Sequence, residues 1–138
     1  ANIQMLGRID GGHEFVGVQR HPAAETVPGV LVVRPDEALF FANVERILGA
    51  ALHLIRHPPA PIHTVILSLE ESPDLDGTSI EAMQEFFVRV HNEGKRLILA
   101  RLKDSAETVL SALPEVRANG VMLSGLSVDG AVQRAYKD

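Results

Sequence analysis

The chain has 138 residues, 46% of them hydrophobic and 22% charged, which suits one domain with a real core and excludes a disordered segment. Lys and Arg number 13 against 18 Asp and Glu, and the net charge of −5 argues against nucleic-acid binding, which needs a basic footprint. Cysteine is absent, so disulfides and thiolate metal sites are excluded, and no apolar run approaches the ~18 residues of a membrane helix. Residue 1 is Ala rather than Met, which suggests a chain that is processed, tagged or cut from a longer one.

The run "NIQMLGRI" reads as a first extended segment. A long, weakly structured entry follows, "DGGHEFVGVQRHPAAETVPG", with a short apolar patch at Phe15 to Val18. Residues 1–28, the first strand included, are taken as an entry segment and 29–138 as the domain core. "GVLVVR" is a β-branched strand ended by Pro35, and "ALFFA" reads as a second short strand, giving a hairpin that turns at Pro35-Asp36-Glu37. Asn43 is the expected N-cap of a helix whose apolar stripe is Val44, Ile47, Leu48, Ala51, Leu52 and Ile55. "HPPAP" stops that helix.

"IHTVILSL" and "RLILA" lack polar alternation and are expected as central strands covered on both faces. Between them, Ile80, Met83, Phe87 and Val90 mark a second helix ending near Asn92-Glu93-Gly94. Asp104 with Glu107 has the spacing of a capping box for a third helix, striped by Val109, Leu110 and Leu113. "GVML" is a last short strand and "SVDGAVQRAY" a last helix. Alternating strands and helices imply an α/β fold with a mixed, mostly parallel sheet.

The stretch "LEESPDLDGTSIEAM" sits at the carboxyl end of the most buried strand and at a helix start. Ligands gather at such strand ends, and free amides at such helix starts favour anions. Thr78 with Glu81 has capping-box spacing, and Asp76 offers a cap nearer the strand. The carboxylates Glu70, Glu71, Asp74 and Asp76 have no nucleophile–base pair or phosphate cradle beside them, so no catalytic residue is assigned. His53 and His57 are four apart on the first helix without a third ligand, so no metal site and no cofactor are assigned either. His13, His21, His63 and His91 are scattered, and "GGH" at Gly11 to His13 reads as a flexible turn. Arg8, Arg20 and Arg34 are spaced among acids and are taken as solvated charge.

The same stretch resembles the signature region of STAS domains, which are shared by anti-sigma factor antagonists and the tails of SulP-type anion transporters. In that family the strand ends in Asp-Ser-Ser/Thr-Gly. Here Asp76 matches the Asp, and Thr78 the hydroxyl position that antagonists have phosphorylated. Gly77 and Ser79 depart from the pattern, so the loop reads as a docking surface more than a phosphorylation switch. Leu6-Gly7-Arg8, Pro28-Gly29, Arg34 and Leu39 to Asn43 are similar to the transporter tail.

The resemblance implies a STAS fold of four or five strands, with crossover helices largely on one side. It implies a non-catalytic domain on the cytoplasmic side of the inner or plasma membrane, regulating transport, assembly or trafficking through protein contacts. The anion carried would be sulfate, bicarbonate or a dicarboxylate. The expected contact residues are Asp76, Gly77, Thr78 and Ser79. Implied partners are the transporter's membrane domain, a cytosolic protein such as acyl carrier protein, weakly bound nucleotide, and a second copy through the full transporter. The alternative is a stand-alone anti-sigma factor antagonist switched at Thr78.

Overall fold

β-Branched and leucine-rich runs decide the centre of the molecule. The computed structural model describes residues 3–137. In chain order the elements are β1 Ile3–Arg8, β2 Phe15–Gly17, β3 Gly29–Pro35, α1 Val44–Arg56, β4 Ile62–Ser68, α2 Gly77–Asn92, β5 Arg96–Ala100, α3 Asp104–Ser111, α4 Pro114–Ala118, β6 Met122–Leu123 and α5 Val128–Ala135. The expected first segment begins at Asn2, which lies outside the described residues, as does Asp138.

The strands form one sheet in the order β2-β1-β3-β4-β5-β6. β1 runs antiparallel to both neighbours, while β3 through β6 are parallel to one another. Six strands replace the expected four or five, because Phe15–Gly17 folds back onto β1. The entry is therefore not weakly structured. A further isolated bridge ties Arg8 to Glu25 on the opposite edge of β1. Gly7 is needed there, since a Cβ would lie 2.8 Å from the Glu25 carbonyl oxygen. Gly29 opens β3 at φ 75°, with His63 packed where its Cβ would be.

The expected hairpin after β3 does not form. Residues 38–43 turn directly into α1, and the antiparallel neighbour of β3 is β1. Asn43 is at the N-cap position, but it bonds backward rather than to the helix. Its Oδ1 accepts from the Phe40 amide at 2.9 Å, and its Nδ2 donates to the Ala38 carbonyl and the Glu37 carboxylate. Those bonds close a turn where the β-propensity of Leu39-Phe40-Phe41 suggests a strand.

Alternation along the central strands divides the core in two. Leu31, Val33, Val65, Leu67, Leu97 and Leu99 meet the buried faces of α1, α2 and α3. Val30, Val32, Ile66, Ile98 and Ala100 meet Ala131, Val132 and Ala135 of α5. Helices thus pack largely on one side, and both faces of β4 and β5 are covered. All six stripe residues of α1 are buried. Phe87 is 1% exposed, and burying such a side chain stabilises the fold by about 1.5–3 kcal/mol.

α3 differs from its sequence pattern. Its N-cap position is Lys103, with no side-chain cap bond, so Asp104 and Glu107 form no capping box. Both acids lie in the first turn, where the helix dipole favours them. Ala106 and Leu110 carry the buried face, while Val109 is 46% exposed.

Candidate functional site

Two loops converge at the start of α2. The Asp76 side chain caps the helix, its Oδ1 accepting from the Ser79 amide at 2.7 Å. The Thr78–Glu81 capping box does not form, because the helix starts at Gly77 and Thr78 is already inside it. The second oxygen of Asp76, Oδ2, accepts from the Phe41 amide at 2.9 Å. One carboxylate therefore holds both the helix start and the turn before α1. Nearby, the buried Ser72 hydroxyl accepts from the Leu39 amide at 3.0 Å.

The Asp76 carboxyl is held below its usual range, chiefly by the Ser79 hydroxyl beside it, then by the Ser79 amide and more weakly by the Phe41 amide. That Ser79 hydroxyl is buried and completes no hydrogen bond of ordinary geometry among the described residues. Of the four expected contact residues, Asp76, Gly77 and Thr78 are exposed, while Ser79 points inward and is fully buried.

The loop also presents what the sequence reading placed in a strand. Phe40 and Phe41 are 44% and 69% exposed, and their rings meet edge to face at 5.5 Å. Exposed aromatics held by backbone bonds form a rigid apolar contact surface at low entropic cost. The signal was present in the Leu-Phe-Phe-x-Asn block, but a Phe-Phe pair is equally at home in a strand. The bonds from Asn43, Ser72 and Asp76 together make it a turn.

The other candidates resolve differently. His53 and His57 lie with ring centroids 4.6 Å apart, and the His57 ring contacts the His53 carbonyl. Among the described residues no group of three His, Cys, Asp or Glu side chains is placed to hold a metal. Arg8 is not solvated charge. It pairs with Asp129, donates to the Gly12 carbonyl and stacks on Phe15 at 4.8 Å. His13, read as part of a flexible turn, bonds the same Asp129 at 2.8 Å. Burial pushes the Asp129 carboxyl up, but the bonds and charges of Arg8 and His13 outweigh it and bring it below its usual range. This cluster fastens the entry segment to α5.

Among the described residues no helix is long and apolar enough to cross a membrane. The sequence profile of the STAS domain matches residues 21–119. A "Probable sulfate transporter" of Mycobacterium tuberculosis is 28% identical over 108 residues, covering 78% of this chain and 19% of that one. High affinity sulfate transporter 1 of Stylosanthes hamata is 28% identical over 104 residues, covering 70% of this chain and 16% of that one. The chain thus spans less than a fifth of the length of these relatives.

Solved structures agree on the fold. The murine Solute Carrier 26 family member A9 anion transporter, in its inward-facing state, superposes with a TM-score of 0.82 at 20% identity. That match covers 99% of this chain and 22% of the transporter. The unphosphorylated anti-sigma factor antagonist SpoIIAA superposes with a TM-score of 0.60 at 16% identity, over 82% of this chain and 94% of that one.

Proposed function

The chain belongs to the STAS domain family, and from that membership we propose that it is the non-catalytic cytoplasmic domain of a SulP-type anion transporter. It acts on transport, assembly or membrane delivery through protein contacts. The curated relatives, which are named as sulfate transporters, support this reading over a stand-alone regulator. Sulfate is the substrate that their names favour.

The observation that carries the contact role is the shared Asp76 carboxylate. It fixes the exposed Phe40–Phe41 pair beside the exposed Gly77 and Thr78. We assign partner docking to that composite surface. The α2 start already holds its own carboxylate, with Glu71 and Asp74 in the same loop, so the surface suits an apolar or backbone contact better than an anionic group.

The test is uptake by the transporter that carries the domain. Replacing Phe40 and Phe41 with Ala is expected to lower sulfate uptake or membrane abundance several-fold. Phe41→Ala alone leaves the domain's unfolding free energy within about 0.5 kcal/mol of wild type, as expected for a side chain so exposed. Wild-type uptake and abundance in the double variant overturn the docking role. A reading frame without membrane helices upstream of Ala1 overturns the transporter reading itself.

The second reading, an anti-sigma factor antagonist, rests on Thr78. Its side chain is exposed in the first turn of α2, where a phosphate is tolerated by the dipole and opposed by Asp74 and Asp76. Mass spectrometry after incubation with a cognate kinase decides it, and an unmodified Thr78 disposes of it.

A further inference from the structure

A second cleft opens at the same end of the sheet but on its other face. Its volume is about 210 Å³. Arg34, Ser68 and Arg101, at the carboxyl ends of β3, β4 and β5, line it together with Ser127 and Val128 at the start of α5. Arg34 and Ser68 follow the alternation of Val32 and Ile66, which places them on the α5 side.

Four features of this cleft bear on what it could hold. The Arg34 side chain makes no hydrogen bond or ion pair among the described residues. The Ser68 hydroxyl, on a residue 1% exposed, has no hydrogen-bond partner in a wall of the cleft. Leaving a buried hydroxyl without a partner is costly, so it is a group waiting for one. Arg101 sits at φ 61°, a left-handed backbone that a residue with a long side chain adopts only under constraint. The Val128 amide, first in α5, donates to no acceptor among the described residues, because the Ser127 hydroxyl bonds the Gly130 amide instead.

The charges facing the cleft decide the ligand's sign. Arg101 is paired with Glu70 at 2.7 Å, and Glu14 lines the rim. Asp129, in the first turn of α5, is engaged by Arg8 and His13. Arg34 is left with its five guanidinium donors unmatched. A free fork, a hydroxyl and a helix-start amide are all donors, and they converge on one small space.

We infer that this cleft binds a small tetrahedral oxyanion, sulfate or phosphate, free in solution. The Arg34 guanidinium holds two of its oxygens. The Val128 amide and the Ser68 hydroxyl meet the others, while Arg101 stays paired with Glu70 at the rim. This site is distinct from the docking surface at α2 and does not depend on it.

The test is a titration of this chain with sodium sulfate or sodium phosphate at constant ionic strength, against sodium chloride. Saturable amide shifts in the NMR spectrum are expected at Arg101, Val128 and Asp129 with the oxyanions. Arg34→Gln is expected to weaken binding at least about 10-fold, the loss of a charge-assisted pair of hydrogen bonds. Ser68→Ala guards against a folding artefact. It removes an unsatisfied hydroxyl, so in chloride its Tm equals or exceeds that of wild type, while the Tm gain from sulfate shrinks. Shifts that chloride reproduces, or equal sulfate affinity in wild type and Arg34→Gln, overturn the proposal. So does Arg34-dependent binding to phosphatidic acid vesicles without any response to the free ions, which would put the oxyanion on a lipid.

Discussion

The starts of α2 and α5 lie at one end of the same sheet, on opposite faces, and they are built on opposite principles. Each caps its N3 amide with a side chain, Asp76 at 2.7 Å and Ser127 at 3.1 Å. At α2 the cap is itself the anion, and Glu71 and Asp74 repel another. At α5 the cap is neutral, the first-turn Asp129 is taken by Arg8 and His13, and an unmatched Arg34 lies alongside. A helix start is therefore no sign of anion binding by itself. The sign follows from what already occupies it. The acidic start presents exposed aromatics to a partner, and the basic start encloses a cleft.

The largest contrast is in how the two helices are anchored. α2 buries Met83, Phe86, Phe87 and Val90, whereas α5 buries mainly Ala131, Val132 and Ala135. Phe87→Ala is expected to cost about 3–5 kcal/mol, from lost transfer energy and a cavity. Val132→Ala removes far less volume and costs about 1–2 kcal/mol. Urea unfolding measures both. Amide exchange adds a sharper reading, in which α5 opens before α2 in the wild-type chain. Equal costs, or exchange from α2 first, break the contrast.

Next comes the latch at α5. Asp129→Asn leaves Arg8 beside a neutral amide and is expected to cost about 1.5–3 kcal/mol, the range for hydrogen bonds to charged groups. The same carboxylate predicts a pH dependence. Arg8 and His13 hold the Asp129 carboxyl below the usual carboxylate range in the folded chain. The unfolded chain therefore takes up the proton first as pH falls. The stabilisation is complete above the unfolded value and disappears as pH drops through the folded one. Asp76 is lowered in the same direction and adds to the effect. Thermal unfolding from pH 7 down to about 2.5 should show the loss setting in below about pH 5, with Asp129→Asn flattening part of it. A slope unchanged in that variant removes the latch from the account.

These regions differ in how far the sequence reveals them. Helix stripes and β-branched runs are local patterns, and they place α1, α2, β4 and β5 correctly. Asp76 as a cap is local too, one of two choices that three residues of spacing leave open. What is not local is not legible. The Phe40–Phe41 turn draws on acceptors 33 and 35 residues away besides the local Asn43, and nothing in "ALFFA" says that β1 has already taken the edge of β3. Arg8 reads as solvated charge because its partner, Asp129, is 121 residues distant. The α5 cleft is the extreme case. Its residues come from both ends of the chain, from β1 and β2 through β3 and β4 to Arg101 and the start of α5, and only the sheet order makes them neighbours.

The smallest effects come from the two caps, and they separate the roles of the two helix starts. Ser127→Ala removes a neutral cap and is expected to cost about 1 kcal/mol. Its consequence is confined to α5, since the Ser127 hydroxyl serves one amide. Asp76→Asn keeps an acceptor for the Ser79 amide and removes the charge, so its Tm is expected to fall by only about 1–3 °C. Asp76→Ala loses the acceptor for Phe41 as well as for Ser79. Faster exchange is then expected at both amides, although they belong to different loops. In Ser127→Ala no second loop should respond. If the Phe41 amide stays protected in Asp76→Ala, the aromatic turn is held by Ser72 and Asn43 alone, and the two loops at α2 are not one surface.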